Sequence, residues 1–122
     1  MKKIMIVDDE LDQILTVKVI LEKSGENYEV ISAQSGKECL KILDTIVPDL
    51  ILLDIMMPEM SGWELYDKLK QNNIWNSIPT IFLTSRTDET AENAGRFLGD
   101  DYIEKPFNSE DFKIKIKQLL KD

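Results

Sequence analysis

The sequence contains no histidine. That absence removes Ser-His-Asp and Cys-His catalysis, histidine metal sites and an internal phosphohistidine from consideration. Cys39 is the only cysteine, so an internal disulfide is impossible and a reducing compartment, the cytoplasm, is implied. It lies within a helical apolar pattern, which marks it as a core residue rather than a nucleophile. Glycine and proline are scarce, five and four residues in a chain of 122, which argues against disorder and against fibrous repeats. Long hydrophobic runs are missing too. Met1-Lys2-Lys3 is followed by only four apolar residues before Asp8, too few for a signal peptide or a membrane span. Basic charge is in deficit, with 15 Lys and Arg against 23 Asp and Glu and a net charge of −8. That balance disfavours direct, non-specific binding to nucleic acid or to an anionic membrane. Neither G-x-G-x-x-G nor G-x-x-x-x-G-K-[ST] occurs, so no glycine loop cradles a nucleotide, and any phosphoryl group must arrive from elsewhere.

The length suits one domain spanning residues 1–122, with a single substantial core and no internal repeat or linker. Its organising stretch is Leu50-Ile51-Leu52-Leu53-Asp54. Four unbroken aliphatic residues read as a strand buried on both faces, and Asp54 falls where that strand leaves the core. Pro58 and Gly62 then punctuate a loop. Before this stretch, Lys3 to Val7 reads as a strand ending in Asp8-Asp9-Glu10. A helix from Leu11 to about Lys23 follows, with Leu11, Ile14, Leu15, Val19 and Leu21 as its apolar face and Gly25 as its stop. Tyr28 to Ser32 is a second strand. Ser35 and Glu38 form a capping box for a helix whose Cys39, Leu40, Leu43, Ile46 and Val47 share a face up to Pro48.

Beyond the central strand, Ser61 and Glu64 cap a third helix to about Gln71. Trp75 sits in the polar loop after it as a lid on the core, and Thr80 to Leu83 is a strand ending in Thr84-Ser85. A helix is expected over Asp88 to Leu98 and a short strand over Tyr102 to Glu104, followed by Lys105-Pro106. Asn108 caps a last helix with Phe112, Ile116, Leu119 and Leu120 in one stripe; its Lys113, Lys115, Lys117 and Lys121 read as a solvated face. Five strands alternating with five helices predict one α/β domain with a parallel sheet, right-handed crossovers and helices on both faces.

In such a sheet, ligands bind at the carboxyl ends of the strands. The strand ends carry Asp8 and Asp9, Asp54, Thr84 and Lys105. Two unit charges at about 4 Å repel by about 4 kcal/mol at an effective dielectric near 20, so three gathered carboxylates call for a counter-ion beyond the one charge of Lys105. Hard oxygen donors, few in number, suit Mg²⁺. A cation beside a carboxylate, with a hydroxyl and an ammonium opposite, is equipment for phosphoryl transfer in which Asp54 attacks.

Val7-Asp8-Asp9-Glu10, Asp54-Ile55-Met56-Met57-Pro58 with Gly62, Leu83-Thr84-Ser85 and Asp101-Tyr102-Ile103-Glu104-Lys105-Pro106-Phe107 together resemble the response regulator receiver domain of two-component signalling, along the whole chain. The resemblance implies a flavodoxin-like, doubly wound sheet in the order 2-1-3-4-5 with five helices. It implies phosphorylation of Asp54 by a histidine kinase or a histidine phosphotransfer protein. It also implies Mg²⁺ bound directly by Asp9 and Asp54, through water by Asp8, and by the backbone carbonyl of Met56. Thr84 would hydrogen-bond the phosphoryl group and Lys105 would pair with it, aimed by a cis peptide at Pro106. Thr84 and Tyr102 would be the switch pair that alters the surface of the fourth helix, fifth strand and fifth helix, which a downstream protein reads. Met56 and Arg86 would, by the same resemblance, stand at positions that tune phosphoryl lifetime in the family. Leu98-Gly99-Asp100-Asp101-Tyr102 stands where the family often has Gly-Ala-Asp-Asp-Tyr, which predicts a shortened or shifted fourth helix.

On this reading the chain is a signalling protein rather than an enzyme, with catalysis confined to its own modification. With no output segment after Lys121-Asp122, it acts as a diffusible messenger or phosphorelay intermediate, or is one domain of something larger. The alternatives are a phosphorylation-independent interaction module on the same fold and a metal-dependent hydrolase using Asp54. The hydrolase lacks a second acid or base at useful spacing, since Met56 stands two residues on.

Overall fold

The computed structural model describes the backbone of residues 1–85, 101–105 and 108–120, and the side chains of all of these except 84, 85, 101, 102, 104 and 105. Its strands are β1 (Lys2–Val7), β2 (Tyr28–Ala33), β3 (Leu50–Asp54), β4 (Thr80–Ser85) and β5 (Asp101–Lys105). They form one sheet in the order β2-β1-β3-β4-β5, every neighbouring pair parallel. The described helices are α1 (Leu11–Glu22), α2 (Gly36–Leu43), α3 (Gly62–Lys70) and a C-terminal helix, Ser109–Leu120. The helix expected over Asp88 to Leu98, Arg86 and Pro106 lie outside the described residues.

Side chains alternate along the three central strands because successive residues of a strand point to opposite faces. Met5, Val7, Ile51, Leu53 and Phe82 join one cluster, closed by Cys39 and Leu43 of α2 and Leu65, Tyr66 and Leu69 of α3. Ile4, Ile6, Leu50, Leu52, Ile81 and Leu83 join the other, closed by Ile14, Val17 and Leu21 of α1 and by Phe112 and Ile116 of the C-terminal helix. All five residues of β3 are buried, which explains its unbroken aliphatic run. Phe82 anchors α3 through ring contacts with Trp63 at 4.7 Å and Tyr66 at 5.1 Å between centroids. Trp75 packs against the same cluster, as a lid.

Two helical faces differ from expectation. On α1 the buried residues are Ile14, Val17 and Leu21, whereas Leu11, Leu15 and Val19 are exposed at 55%, 48% and 48%. The apolar residues of α1 are spread over more than one stripe, and a helix seated on a flat sheet buries only one. Helix α2 ends at Leu43, earlier than the apolar pattern suggests, and Val47 is exposed. Thr45 donates from both its backbone N–H and its hydroxyl to the carbonyl of Ile42, at 2.9 and 3.0 Å, and the residue before Pro48 is biased away from helix.

The helix starts follow the capping signals. The Ser35 hydroxyl accepts from the N–H of Glu38 at 3.0 Å and that of Ser61 from the N–H of Glu64 at 3.3 Å, while the Asn108 side chain accepts from Glu110 and Asp111. Glu10, at the start of α1, makes no side-chain cap bond. Gly25, at φ 84°, provides the left-handed residue that turns the chain after α1. Ser35→Ala is expected to lower stability by about 1 kcal/mol, read as a shift in the urea midpoint, because the N–H of Glu38 loses its acceptor.

Cys39 is fully buried, its thiol 3.5 Å from the Met5 sulfur. Burial, and secondarily the charge of Glu38, pushes the thiol up to about 12. The unfolded thiol titrates lower. The resulting stabilisation is therefore complete below about pH 9 and is lost as pH rises toward 12. A thiol-specific reagent at pH 8 is expected to leave the native protein unmodified and to react fully in denaturant.

Candidate functional site

The switch point of the sheet lies between β1 and β3, because the chain leaves β1 for β2 on one side and returns to β3 on the other. Val7 pairs with Leu53, so the residues that follow, Asp8 and Asp54, emerge side by side at the carboxyl edge. Asp8 is held in place on both sides: its N–H donates to Ala33 O at 3.1 Å, and its carboxylate accepts from the N–H of Glu10 at 2.9 Å. Asp8 is fully buried and Asp54 is 8% exposed. Asp9 is the most accessible of the three. One carboxylate oxygen from each of Asp8, Asp9 and Asp54 lies within 4.8 Å of the others.

The remaining strand ends share this edge. Asp54 pairs with Leu83, which places Thr84 one residue beyond it on β4, and Ser85 pairs with Lys105 at the end of β5. Tyr102 lies within β5, paired with Phe82. Met56, two residues after Asp54, has a side chain 71% exposed. The sequence-derived residues Asp8, Asp9, Asp54, Thr84 and Lys105 thus converge on one edge of the backbone scaffold.

The donor set fits a hard divalent cation. All three candidate ligands are carboxylates. Mg²⁺ holds oxygen ligands at about 2.1 Å and commonly keeps several waters, so a group spread over this span suits direct binding by some carboxylates and a water bridge to another.

Sequence reasoning did not isolate the part played by Gly62. Its N–H donates to Ile55 O at 2.8 Å, and a Cβ placed on it would collide with the carbonyl oxygen of Asp54 and lie 2.7 Å from Ile55 Cα. Helix α3 therefore starts directly against the backbone of the residue at the centre of the site. Glu59, in the same loop, has φ 67°, a left-handed conformation uncommon for a residue with a Cβ. The exposed stripe Leu11, Leu15 and Val19 was also missed, since its apolar character alone signalled core.

Residues 4–117 match the family model of the response regulator receiver domain, and the chain belongs to that family. It is 39% identical over 121 residues to the alkaline phosphatase synthesis transcriptional regulatory protein PhoP of Bacillus subtilis, covering 98% of this chain and 49% of PhoP. It is 37% identical over 120 residues to histidine kinase P4 of Formosa agariphila, covering 98% of this chain and 8% of the kinase. The chain thus spans half or less of the length of these relatives. A crystal structure of the signal receiver domain of a signal transduction histidine kinase from Syntrophus aciditrophicus superposes with a TM-score of 0.88 at 34% identity, covering 98% of this chain and 90% of that one. Phosphorylation-dependent switching within two-component systems is the standard function of the family, and its members generally bind Mg²⁺ through acidic residues. No helix among the described residues is long and apolar enough to cross a membrane.

Proposed function

We propose that this receiver domain accepts a phosphoryl group on Asp54 in a Mg²⁺-dependent reaction and thereby changes a surface read by a partner protein. The observation that carries this reading is the gathering of the Asp8, Asp9 and Asp54 carboxylates within 4.8 Å at the switch point of the sheet. Asp8, Asp9 and Asp54, with the carbonyl of Met56, would hold the cation, which when bound supplies positive charge to the phosphoryl oxygens. A carboxylate oxygen of Asp54 attacks phosphorus, the P–N bond to a donor imidazole breaks, and the donor nitrogen keeps the electron pair. Lys105 neutralises a second phosphoryl oxygen and the Thr84 hydroxyl donates a hydrogen bond to a third. Movement of Thr84 toward the phosphoryl group, followed by Tyr102, would alter the surface around β5 and the C-terminal helix.

The donor is a histidine kinase or a histidine phosphotransfer protein, since this chain has no histidine of its own. The exposed apolar stripe Leu11, Leu15 and Val19 begins two residues after Asp9 and offers the donor a place to dock beside the acids. Catalysis is confined to the protein's own phosphorylation and dephosphorylation, in the cytoplasm, where Cys39 stays reduced. Incubation with acetyl phosphate and Mg²⁺ is expected to add one phosphate per chain by intact mass. Removal of Mg²⁺ with a chelator is expected to prevent it. No adduct under any divalent cation would sink the reading in favour of a phosphorylation-independent module, and sustained phosphate-ester turnover would favour a hydrolase.

A further inference from the structure

Across the sheet face from α1, helices α2 and α3 leave a groove of about 470 Å³. Lys37, Leu40 and Lys41 of α2, Asp44 just past its end, Lys68 of α3, and Trp75 line it. Leu40 and Trp75 are half-buried and pack on the core below, so the floor is apolar. Three lysines against one aspartate make the rim basic in a chain whose net charge is −8. None of these lysines makes an ion pair with a described residue, in contrast to Lys113 and Lys117, which pair with Glu110 and Glu26.

We propose that this groove docks an acidic amphipathic helix of a partner protein. Lys37 and Lys41 are one helical turn apart, a rise of about 6 Å, which matches the spacing of two acids at i and i+4 on a second helix. Such a helix would lay an apolar stripe on Leu40 and Trp75, set acids on one edge against Lys37 and Lys41, and set acids on the other edge against Lys68. A small carboxylate could engage only part of this rim. Extended polyanions and anionic bilayers meet the acidic remainder of the molecule as well. The surface lies on the opposite face of the sheet from the Leu11, Leu15 and Val19 stripe, and its use does not depend on phosphorylation of Asp54.

The test uses the full chain and a synthetic helical peptide with Leu and Phe at i, i+3, i+4 and i+7 and Glu at the flanking positions. Binding is read by anisotropy of the labelled peptide and located by NMR shifts of the Trp75 indole and the amides of α2. Expected are saturable binding at these groups, weakening with salt, and a loss of about tenfold in the Lys37→Gln, Lys41→Gln, Lys68→Gln triple variant, since each exposed ion pair contributes a factor of a few. The variant should still form the acetyl phosphate adduct if the parent does, which separates this surface from the acid site. The proposal is overturned if a Gln-for-Glu peptide binds equally well, if the triple variant binds unchanged, or if the shifts map elsewhere. Tighter occupation of these residues by phosphatidylglycerol vesicles or a single-stranded oligonucleotide than by the peptide would also overturn it.

Discussion

Asp54→Asn is expected to abolish the phosphate adduct while the protein remains folded. The amide is nearly isosteric with the carboxylate, and the site is a rigid strand end whose backbone is held by pairing of Asp54 with Leu83. Packing should therefore change little. What changes is nucleophilicity, since an amide oxygen lacks the negative charge that attacks phosphorus. Intact mass after acetyl phosphate treatment should show no added phosphate where the parent shows one, a drop of at least about a hundredfold in labelling rate. The substitution also removes one of three anionic donors within 4.8 Å. Mg²⁺ that binds only the folded parent should raise its stability, by about 2.7 kcal/mol at a hundred times the dissociation constant, and most of that gain should vanish in the variant. A single adduct that persists in Asp54→Asn, at unchanged stoichiometry, would remove Asp54 from its assigned role.

Gly62→Ala should be the most damaging single-methyl change near the site. The new Cβ meets backbone, not the flexible end of a side chain: the carbonyl of Asp54 and, at 2.7 Å, the Cα of Ile55. Neither can step aside without moving the end of β3 or the start of α3. Small-to-large changes in packed regions cost about 1–3 kcal/mol, and a clash with the backbone of two consecutive residues belongs at the upper end of that range or beyond. Separation of α3 from β3 would also break the bond from Gly62 N–H to Ile55 O and shift Asp54 relative to Asp8. Urea denaturation should register the stability loss, and Mg²⁺ affinity should fall with it. A variant with parental stability and unchanged Mg²⁺ response would show that the loop absorbs the methyl group without cost. Gly25 offers the contrast: nothing lies within 4 Å of a Cβ there, so substitution strains only a backbone at φ 84°.

Much of the architecture could be read from residue order. The aliphatic run Leu50 to Leu53 could only be a strand covered on both sides, and β3 is buried throughout. The Ser35/Glu38 and Ser61/Glu64 pairs located two helix starts to the residue, because a hydroxyl accepting an N–H three residues on is a local interaction. Asp8, Asp9 and Asp54 were legible as a group because every strand of a parallel sheet ends at the same edge, so polar residues that follow strands must meet there. Helix α1 was misjudged. With apolar side chains at Leu11, Leu15 and Val19 as well as at Ile14, Val17 and Leu21, composition did not say which stripe would face the sheet.

Local chemistry along the chain therefore settled the alternation of strands and helices, their caps, and the identity of the acids that could gather around a cation. Those features depend on contacts among residues a few positions apart, or on the periodicity of a pleat. The side of α1 that stays in water, the closeness of Gly62 to the Asp54 backbone, and the basic rim shared by α2 and α3 were decided by how the elements pack. Each depends on the distance and rotation between segments far apart in the chain, and those are set by the collective fit of the whole core rather than by any one stretch of residues.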